Sequence, residues 1–419
     1  MPRTERLGAS RPYASPARRG PVRMLAGRLV VALCITASLM VGAVLTVNYV
    51  IDAKLSSAAR VGVHTASSHG SAMNFLVVGS DTRAFTSGSR TLQQQFGNEA
   101  GNGGQRSDTM MVVRVDPNHS KTLVVSFPRD LWVRVPGLGM SKINSAYNAG
   151  PQRVIDMLLQ DFGIKINHFI QVDFKSFQGV VNAIGTIPVY VPYPARDNLT
   201  GLYQPVAGCE QFGGADALAY VRSRELQYYS PQQQRWVPAD AVPDIDRIAR
   251  QQQFIRRLAG IAVKRSLSNP LTANEIVNRV LENVTIDQGL SKSDILSFVD
   301  AFRSINPNDT GHVQFGTMPW LEGPNQDGQQ VLYVREPDAG ALLARLGGAV
   351  NSAHVAVNGT SPGTSTSPTT GPGAATSPTT SAPSGSTPDG GAATPGAAPA
   401  ARINNQALLG SAAPRPAPC

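Results

Sequence analysis

RSDTMMVVRVDPNHSKTLVVSFPRD, residues 106 to 130, sets two apolar runs between polar ends. Thr109 to Val115 and Thr122 to Phe127 are short and β-branched, and the Asp116-Pro117-Asn118 between them has turn chemistry, so two neighbouring strands are expected. Joined by that turn, Arg106 and Asp108 would fall at the same sheet edge as Arg129 and Asp130. A carboxylate among guanidiniums at a strand end, not paired off along a helix face, marks a place where charge is handled.

Working outward, the 419 residues exceed one ordinary domain, but neither end has the make-up of a core, so one large domain is expected. The formal charge of +9 invites a nucleic-acid reading until the charge is located. Arg3, Arg6, Arg11, Arg18, Arg19, Arg23 and Arg28 face only Glu5, so most of the excess lies in the first 28 residues, a segment with little to bury. Leu29 to Val50 then runs 22 residues without a charge, enough to cross a bilayer core of about 30 Å. Its length exceeds the apolar region of a cleaved signal peptide, so a transmembrane helix is expected. The arginines before it, against Lys54 and Arg60 beyond, place the N-terminus in the cytoplasm and the body outside. No nucleic-acid partner is expected. The domain plan is a basic segment (1–28), a transmembrane helix (29–50), a linker (51–72), a globular domain (73–346) and a tail (347–419).

Met73 to Gly79 reads as a buried strand that stops at Ser80-Asp81-Thr82-Arg83, and residues 85 to 105 read as a lid or flap. Past the opening stretch, apolar spacing predicts a helix over Pro151 to Phe162, a strand over His168 to Val172, a helix over Phe174 to Ile184 and a strand over Ile187 to Val191. Gly214 to Tyr220 reads as a helix running into Val221-Arg222-Ser223-Arg224. If that end is extended, Arg222 and Arg224 share a face. Glu225 to Pro243 reads as a polar loop with Trp236. Asp244 to Arg265 is a helix with Arg247, Arg250 and Gln251 on one patch and Phe254, Ile255, Leu258 and Ile261 on the other. Helices over 273–283 and 292–305, a strand over His312 to Met318 and a helix over Pro337 to Leu346 close the domain. The alternation indicates an α/β fold with a central mixed sheet flanked by helices on both faces. From about residue 351 the chain is almost only Ser, Thr, Pro, Gly and Ala, the composition of a disordered tail.

Cys34, Cys209 and Cys419 have no metal-ligand spacing; outside the cytoplasm a Cys209 to Cys419 disulfide is open to the chain. There is no GxxxxGK[ST], HExxH or strand-linked GxGxxG. Gly359 to Gly363 matches GxSxG, but inside low-complexity sequence with no strand or helix to shape it. The six histidines are scattered. What remains is Asp81, Arg83, Arg106, Asp108, Arg129, Asp130, Arg222, Arg224, Arg247 and Arg250. Singly each reads as a surface ion pair; together, past the ends of apolar elements, they suit a magnesium ion on Asp81 and Asp108 and a pyrophosphate among guanidinium forks.

In order, GSDTR (79–83), RSDTMM (106–111), SFPRD (126–130), KINSAY (142–147), ALAYVRSR (217–224) and D-x-x-R-x-x-R-Q-Q (244–252) resemble the LytR-CpsA-Psr family over about residues 74 to 346. The resemblance implies a membrane-anchored phosphotransferase that moves a glycopolymer as its sugar 1-phosphate from a polyprenyl pyrophosphate carrier to peptidoglycan. It implies magnesium, with manganese a possible substitute, on Asp81 and Asp108. Arg106, Arg129, Arg222, Arg224 and Arg247 would clamp the pyrophosphate, Gln251 would assist, and Arg83, Asp130 and Arg250 would support. Asp81, Asp108, Arg106 and Arg129 would carry the catalysis. The lipid would lie in a groove lined by the helices at 151–162 and 174–184. The loop at 85–105 is long for this family, and VNGT at 357–360 gives way at once to low complexity, so no further C-terminal domain is expected. The Trp236 segment is similar to actinobacterial members, which implies arabinogalactan as the polymer. Two rival readings keep the residues: a polyprenyl-pyrophosphate pyrophosphatase, and a non-catalytic lipid-binding wall or regulatory protein.

Overall fold

The computed structural model describes residues 55, 58–67, 72–80, 107–116, 121–268, 276, 279–291, 293–295, 313–358 and 419. They all fall within one unit, Lys54–Cys419. The basic segment, the expected transmembrane run, the flap and the bulk of the tail lie outside the described residues. Among those described, no helix is long and apolar enough to cross a membrane.

The central sheet uses β1 (Ala59–Val61), β2 (Met73–Ser80), β3 (Ser107–Asp116), β4 (Lys121–Phe127), β7 (His168–Val172), β14 (Thr285–Asp287) and β15 (Val313–Thr317). Their order is β1-β14-β7-β2-β3-β4-β15. β2 runs parallel to β7 and antiparallel to β3, and β4 antiparallel to β3 but parallel to β15, so the sheet is mixed as expected. Between β4 and β7 come the hairpin β5 (Trp132–Val135) and β6 (Gly139–Lys142), a 3-10 helix (Ile143–Ala149) and α1 (Pro151–Phe162). After β7 the chain forms α2 (Phe174–Ile184), β8 (Ile187–Val191), β9 (Ala195–Asp197), β10 (Leu202–Gln204), β11 (Gly208–Phe212), α3 (Gly214–Arg222), β12 (Gln227–Ser230), β13 (Arg235–Pro238) and α4 (Pro243–Ser268). β16 (Trp320–Pro324), β17 (Gln330–Val334) and α5 (Asp338–Leu346) follow β15.

Strand alternation divides the core. Leu76, Val78, Met110, Val112, Val125 and Phe127 face α1, whose Val154, Met157, Leu158 and Phe162 are fully buried among them. Phe75, Met111, Val113, Val115 and Val124 face the other way, with Ile255 and Ala259 of α4 packed against them. A third cluster joins Val181 and Ile184 of α2 to β8, α3 and Phe254 of α4. α1 and α2 therefore pack into different cores. Each helix obeys its own apolar stripe, and sequence spacing cannot say which face of the sheet a stripe meets.

Two expectations change. The segment after Glu225 is not a plain loop: β12 and β13 pair as a hairpin and join β9 and β10 in a four-stranded sheet. The order also runs past residue 351, because Val355 bridges Val133, Val357 bridges Val334, and Val355 and Ala356 are buried. Three apolar residues between Asn351 and Asn358 suffice to dock that segment on β5 and β17. At the far end of the chain Cys209 on β11 is joined to Cys419 by a disulfide.

Candidate functional site

Cationic side chains reach one edge of the central sheet from separate segments, each for a local reason. β4 ends at Phe127 and Pro128 turns the chain, which leaves Arg129 and Asp130 beyond the ladder. α3 runs through Arg222, and only Ser223 is extended (φ −56°, ψ 130°), so Arg222 and Arg224 do not share a strand face. α4 opens at Pro243, which suits a first turn, and carries Asp244, Arg247, Arg250 and Gln251 on successive turns.

Asp244 sits at the centre of the cluster. Its Oδ1 lies 3.4 Å from Arg129 Nε, 3.0 Å from Arg224 Nε and 3.3 Å from Arg247 Nη2. Arg224 Nη2 also donates to Oδ2 at 3.4 Å. A carboxylate in the first turn of a helix is favoured by the amide dipoles there, so one residue serves both the helix and the arginines. Arg247 is 2% exposed, a guanidinium that the fold buries and must hold charged.

Arg129 also approaches Asp130 Oδ2 at 3.5 Å, and Lys142 Nζ lies 2.9 Å from Asp130 Oδ1. Burial pushes the Asp130 carboxyl up, but the Lys142 hydrogen bond and the Arg129 and Lys142 charges outweigh it and hold its pKa below the usual carboxylate value. Arg222 turns instead onto Phe174 at the start of α2, its guanidinium carbon 3.8 Å from the ring centroid.

Arg250 and Gln251 act on the backbone of the site. Arg250 Nη1 pairs with Asp240, and its Nη2 donates to the carbonyl of Ser223. Burial pushes Asp240 up to about 6 although Arg250 pulls the other way. Gln251 Nε2 donates to the Val221 carbonyl at 3.0 Å, so the two side chains grip the residues flanking Arg222. The buried Gln251 Oε1 finds no hydrogen-bond partner among the described residues.

The structure thus gathers Arg129, Asp130, Arg224 and Arg247, places Arg222 on the Phe174 ring, and gives Arg250 and Gln251 supporting contacts. Asp81, Arg83 and Arg106 lie outside the described residues, and of Asp108 only the backbone on β3 is described. The last pair of the β2–β3 ladder is Ser80 with Ser107, the residues immediately before Asp81 and Asp108. Among the described residues no group of three or more His, Cys, Asp or Glu could hold a metal ion.

Three residues escaped the reading of the sequence. Asp244 was visible as the first letter of its motif, three residues before Arg247, but nothing local shows that Arg129 and Arg224 meet it too. Lys142 was likewise within a quoted motif without a task. Asp197 had no signal at all: at the end of β9 it accepts from Ser223 Oγ at 2.6 Å, Arg224 N at 3.1 Å and Glu225 N at 3.0 Å. Burial raises the pKa of Asp197, and those hydrogen bonds, with two from Leu199 and Thr200, bring it below the ordinary value.

Comparison with known proteins bears on the family of the chain. The LytR_cpsA_psr family model matches residues 46–346, which include all six motifs. A probable cell wall biosynthesis protein LcpB of Corynebacterium glutamicum is 32% identical over 218 residues, 52% of this chain and 48% of that protein. A polyisoprenyl-teichoic acid–peptidoglycan teichoic acid transferase TagU of Oceanobacillus iheyensis is 31% identical over 194 residues, 45% of this chain and 55% of that protein. The chain spans about half the length of the curated relatives it matches. A solved LytR-Csp2A-Psr enzyme from Actinomyces oris aligns with a TM-score of 0.56 at 25% identity, covering 70% of this chain and 96% of that one. With that match over residues 46–346 added to the motifs and the sheet, this chain belongs to the LytR-CpsA-Psr family.

Proposed function

We propose that this protein is a membrane-anchored phosphotransferase. It moves a glycopolymer, as its sugar 1-phosphate, from a polyprenyl pyrophosphate carrier to a hydroxyl of peptidoglycan and leaves a phosphodiester link. Arabinogalactan is the polymer we favour, on the resemblance of the Trp236 segment to actinobacterial members. The span at residues 29–50 anchors the chain, with the N-terminus cytoplasmic and the site outside. The observation that carries the reading is the meeting of Arg129, Arg224 and Arg247, from three separate segments, at Asp244. Guanidinium forks at fixed spacing match the oxygens of a pyrophosphate and keep their charge at any working pH. The transferase named among the relatives has a donor and acceptor of the same class.

In this mechanism the arginines bind the pyrophosphate oxygens and orient the sugar-linked phosphorus toward the acceptor. The acceptor oxygen forms a bond to that phosphorus while the bond to the bridging oxygen breaks, and the electron pair leaves with the polyprenyl phosphate. The hydroxyl proton passes to Asp81 or Asp108. The same two carboxylates would hold magnesium, or manganese in its place, whose charge would further neutralise the phosphate oxygens. Hard carboxylates are the ligands such an ion takes, and Ser80 and Ser107, which precede the two in sequence, pair in the β2–β3 ladder. Positioning and fixed charge supply most of the rate.

The test is a transfer assay with lipid-linked donor and peptidoglycan. Arg129→Ala and Asp108→Ala are expected to lose at least about 100-fold in transfer while keeping the wild-type fold by circular dichroism. Wild-type rates in both variants would remove this site from consideration. Release of polyprenyl phosphate without transfer would instead favour a pyrophosphatase.

A further inference from the structure

Five large apolar side chains are exposed among the described residues, and three of them, Leu199 (72%), Tyr203 (64%) and Val206 (61%), fall on or just after the β9–β10 hairpin. Large apolar side chains exposed together in one short stretch mark a surface that meets an apolar partner. The hairpin is also fastened to the site. Asp197 at its turn receives hydrogen bonds from Leu199 N and Thr200 N on one side and from Ser223 Oγ, Arg224 N and Glu225 N on the other. Across the sheet Tyr203 pairs with Arg196, and the Arg196 guanidinium lies 4.4 Å from the Trp236 ring centroid, with Tyr229 edge-on to that ring. Aromatic rings and an arginine behind exposed aliphatics are the composition of a bilayer interface.

The direction of the chain argues for the same occupant. Sheet registers place Ala59, Thr285, Gln171, Val78, Met110 and Phe127 in one row. β1 is parallel to β14 and so runs opposite to β7 and β2. Its first residue, Ala59, therefore stands at the edge where β2 and β4 deliver Ser80 and Arg129. In sequence Ala59, at that edge, follows the uncharged run at 29–50 by eight intervening residues, a length of chain that can span no more than about 30 Å.

We propose that the β9–β10 hairpin is a lipid-contacting element: Leu199, Tyr203 and Val206 enter the interfacial layer of the bilayer beside the arginine cluster. The hairpin then holds the site at the depth where the pyrophosphate of a lipid-linked donor emerges. This inference rests on the anchor read at residues 29–50.

The test uses the full chain in phosphatidylglycerol vesicles, with Cys34→Ser and the Cys209–Cys419 disulfide kept oxidised. An environment-sensitive fluorophore is attached at Leu199→Cys, or as reference at Leu138→Cys, an exposed position at the turn of the β5–β6 hairpin. Nitroxide-bearing lipids should quench the Leu199 probe at least about twofold more than the Leu138 probe, as expected for a group about 5 to 10 Å into the interface. Equal quenching, or none at Leu199, overturns the proposal. Shielding of that probe by soluble glycan without lipid quenching also overturns it and makes the hairpin a sugar-binding face. Flotation of the unlabelled chain separates the two readings. A chain that fails to float removes the anchor and this proposal with it, whereas a floating chain with an unquenched Leu199 probe removes the hairpin alone.

Discussion

Asp244 shows how one side chain can organise a site without standing among the residues a motif would assign to the substrate. Three guanidiniums within 3.4 Å of one oxygen repel one another unless that oxygen stays charged. Asp244→Asn keeps the shape and removes the charge. We expect kcat/KM for transfer to fall about 10- to 100-fold, the cost of guanidiniums displaced by a fraction of an ångström. Unfolding free energy should drop by about 1 to 3 kcal/mol. Unchanged kinetics with an unchanged melting curve would show that Asp244 only decorates α4. Asp161, far along α1, tests a separate charge. It is fully buried, its Oδ1 lies 3.2 Å from His354 Nδ1, and burial pushes its pKa up to about 7, with Arg134 pulling the other way. The native carboxyl keeps its proton up to about 7, while the unfolded one releases it near 3.8, so the native state binds more protons between those values. Stability contributed by this group therefore falls as pH rises through that window. Asp161→Asn should flatten the dependence and stabilise the protein above pH 7 by about 1 to 3 kcal/mol, read from urea unfolding at several pH values. A variant with the same slope as the wild type would exclude Asp161 as its source.

At the scale of elements, α4 decides where the arginines stand, and it does so with two neighbouring glutamines that point to different partners. Gln251 grips the Val221 carbonyl at the end of α3, whereas Gln252 Nε2 donates to Ser126 Oγ and the Gly316 carbonyl at 2.9 Å and to Thr317 Oγ1 at 3.2 Å, tying α4 to β4 and β15. Gln252→Ala should cost about 1 to 3 kcal/mol of stability, because it strands the buried Ser126 hydroxyl on β4 and half-buried groups on β15. Gln251→Ala should act mainly on transfer, since what it releases is the backbone beside Arg222. Equal effects of the two variants on both rate and stability would mean the helix acts as a block. The contrast also marks what sequence can reveal. β2, β3, β4, β7, α1, α2 and α4 were legible because apolar spacing sets their type, and the site edge was legible because each strand ends abruptly in charge. The β12–β13 hairpin was not, since Tyr228-Tyr229 and Trp236-Val237 are short and separated by the polar run Ser230 to Arg235, and the hairpin also pairs with β9, which is remote in sequence. The opposite assignments of α1 and α2 to separate cores, and Asp197's hold on Ser223 to Glu225, depend on contacts between segments far apart in sequence. No local pattern encodes these.

For the whole molecule, the Cys209–Cys419 disulfide changes what the tail can do. A crosslink acts by limiting the unfolded chain, and a loop as long as 209–419 would by that rule be worth about 5 kcal/mol. The native chain, however, is also closed into a loop. The described fold ends at Asn358, and the sequence beyond it is mostly Ser, Thr, Pro, Gly and Ala, with one stretch carrying larger apolar residues, ARINNQALLG at 401–410, before Cys419. If that tail packs on nothing, folding only shortens the free loop from about 210 residues to about 60, and closure entropy grows with the logarithm of length. The net stabilisation is then about 1 kcal/mol, not about 5. Unfolding of the oxidised full chain against Cys209→Ser measures it directly. A difference near 1 kcal/mol means that the tail is a tether; one of several kcal/mol means that it packs on the domain. Limited proteolysis gives an independent reading of the same architecture. A single cut between 359 and 418 should leave the C-terminal fragment attached in a non-reducing gel and free after reduction. A fragment lost without reductant would show that the link does not form in the native protein.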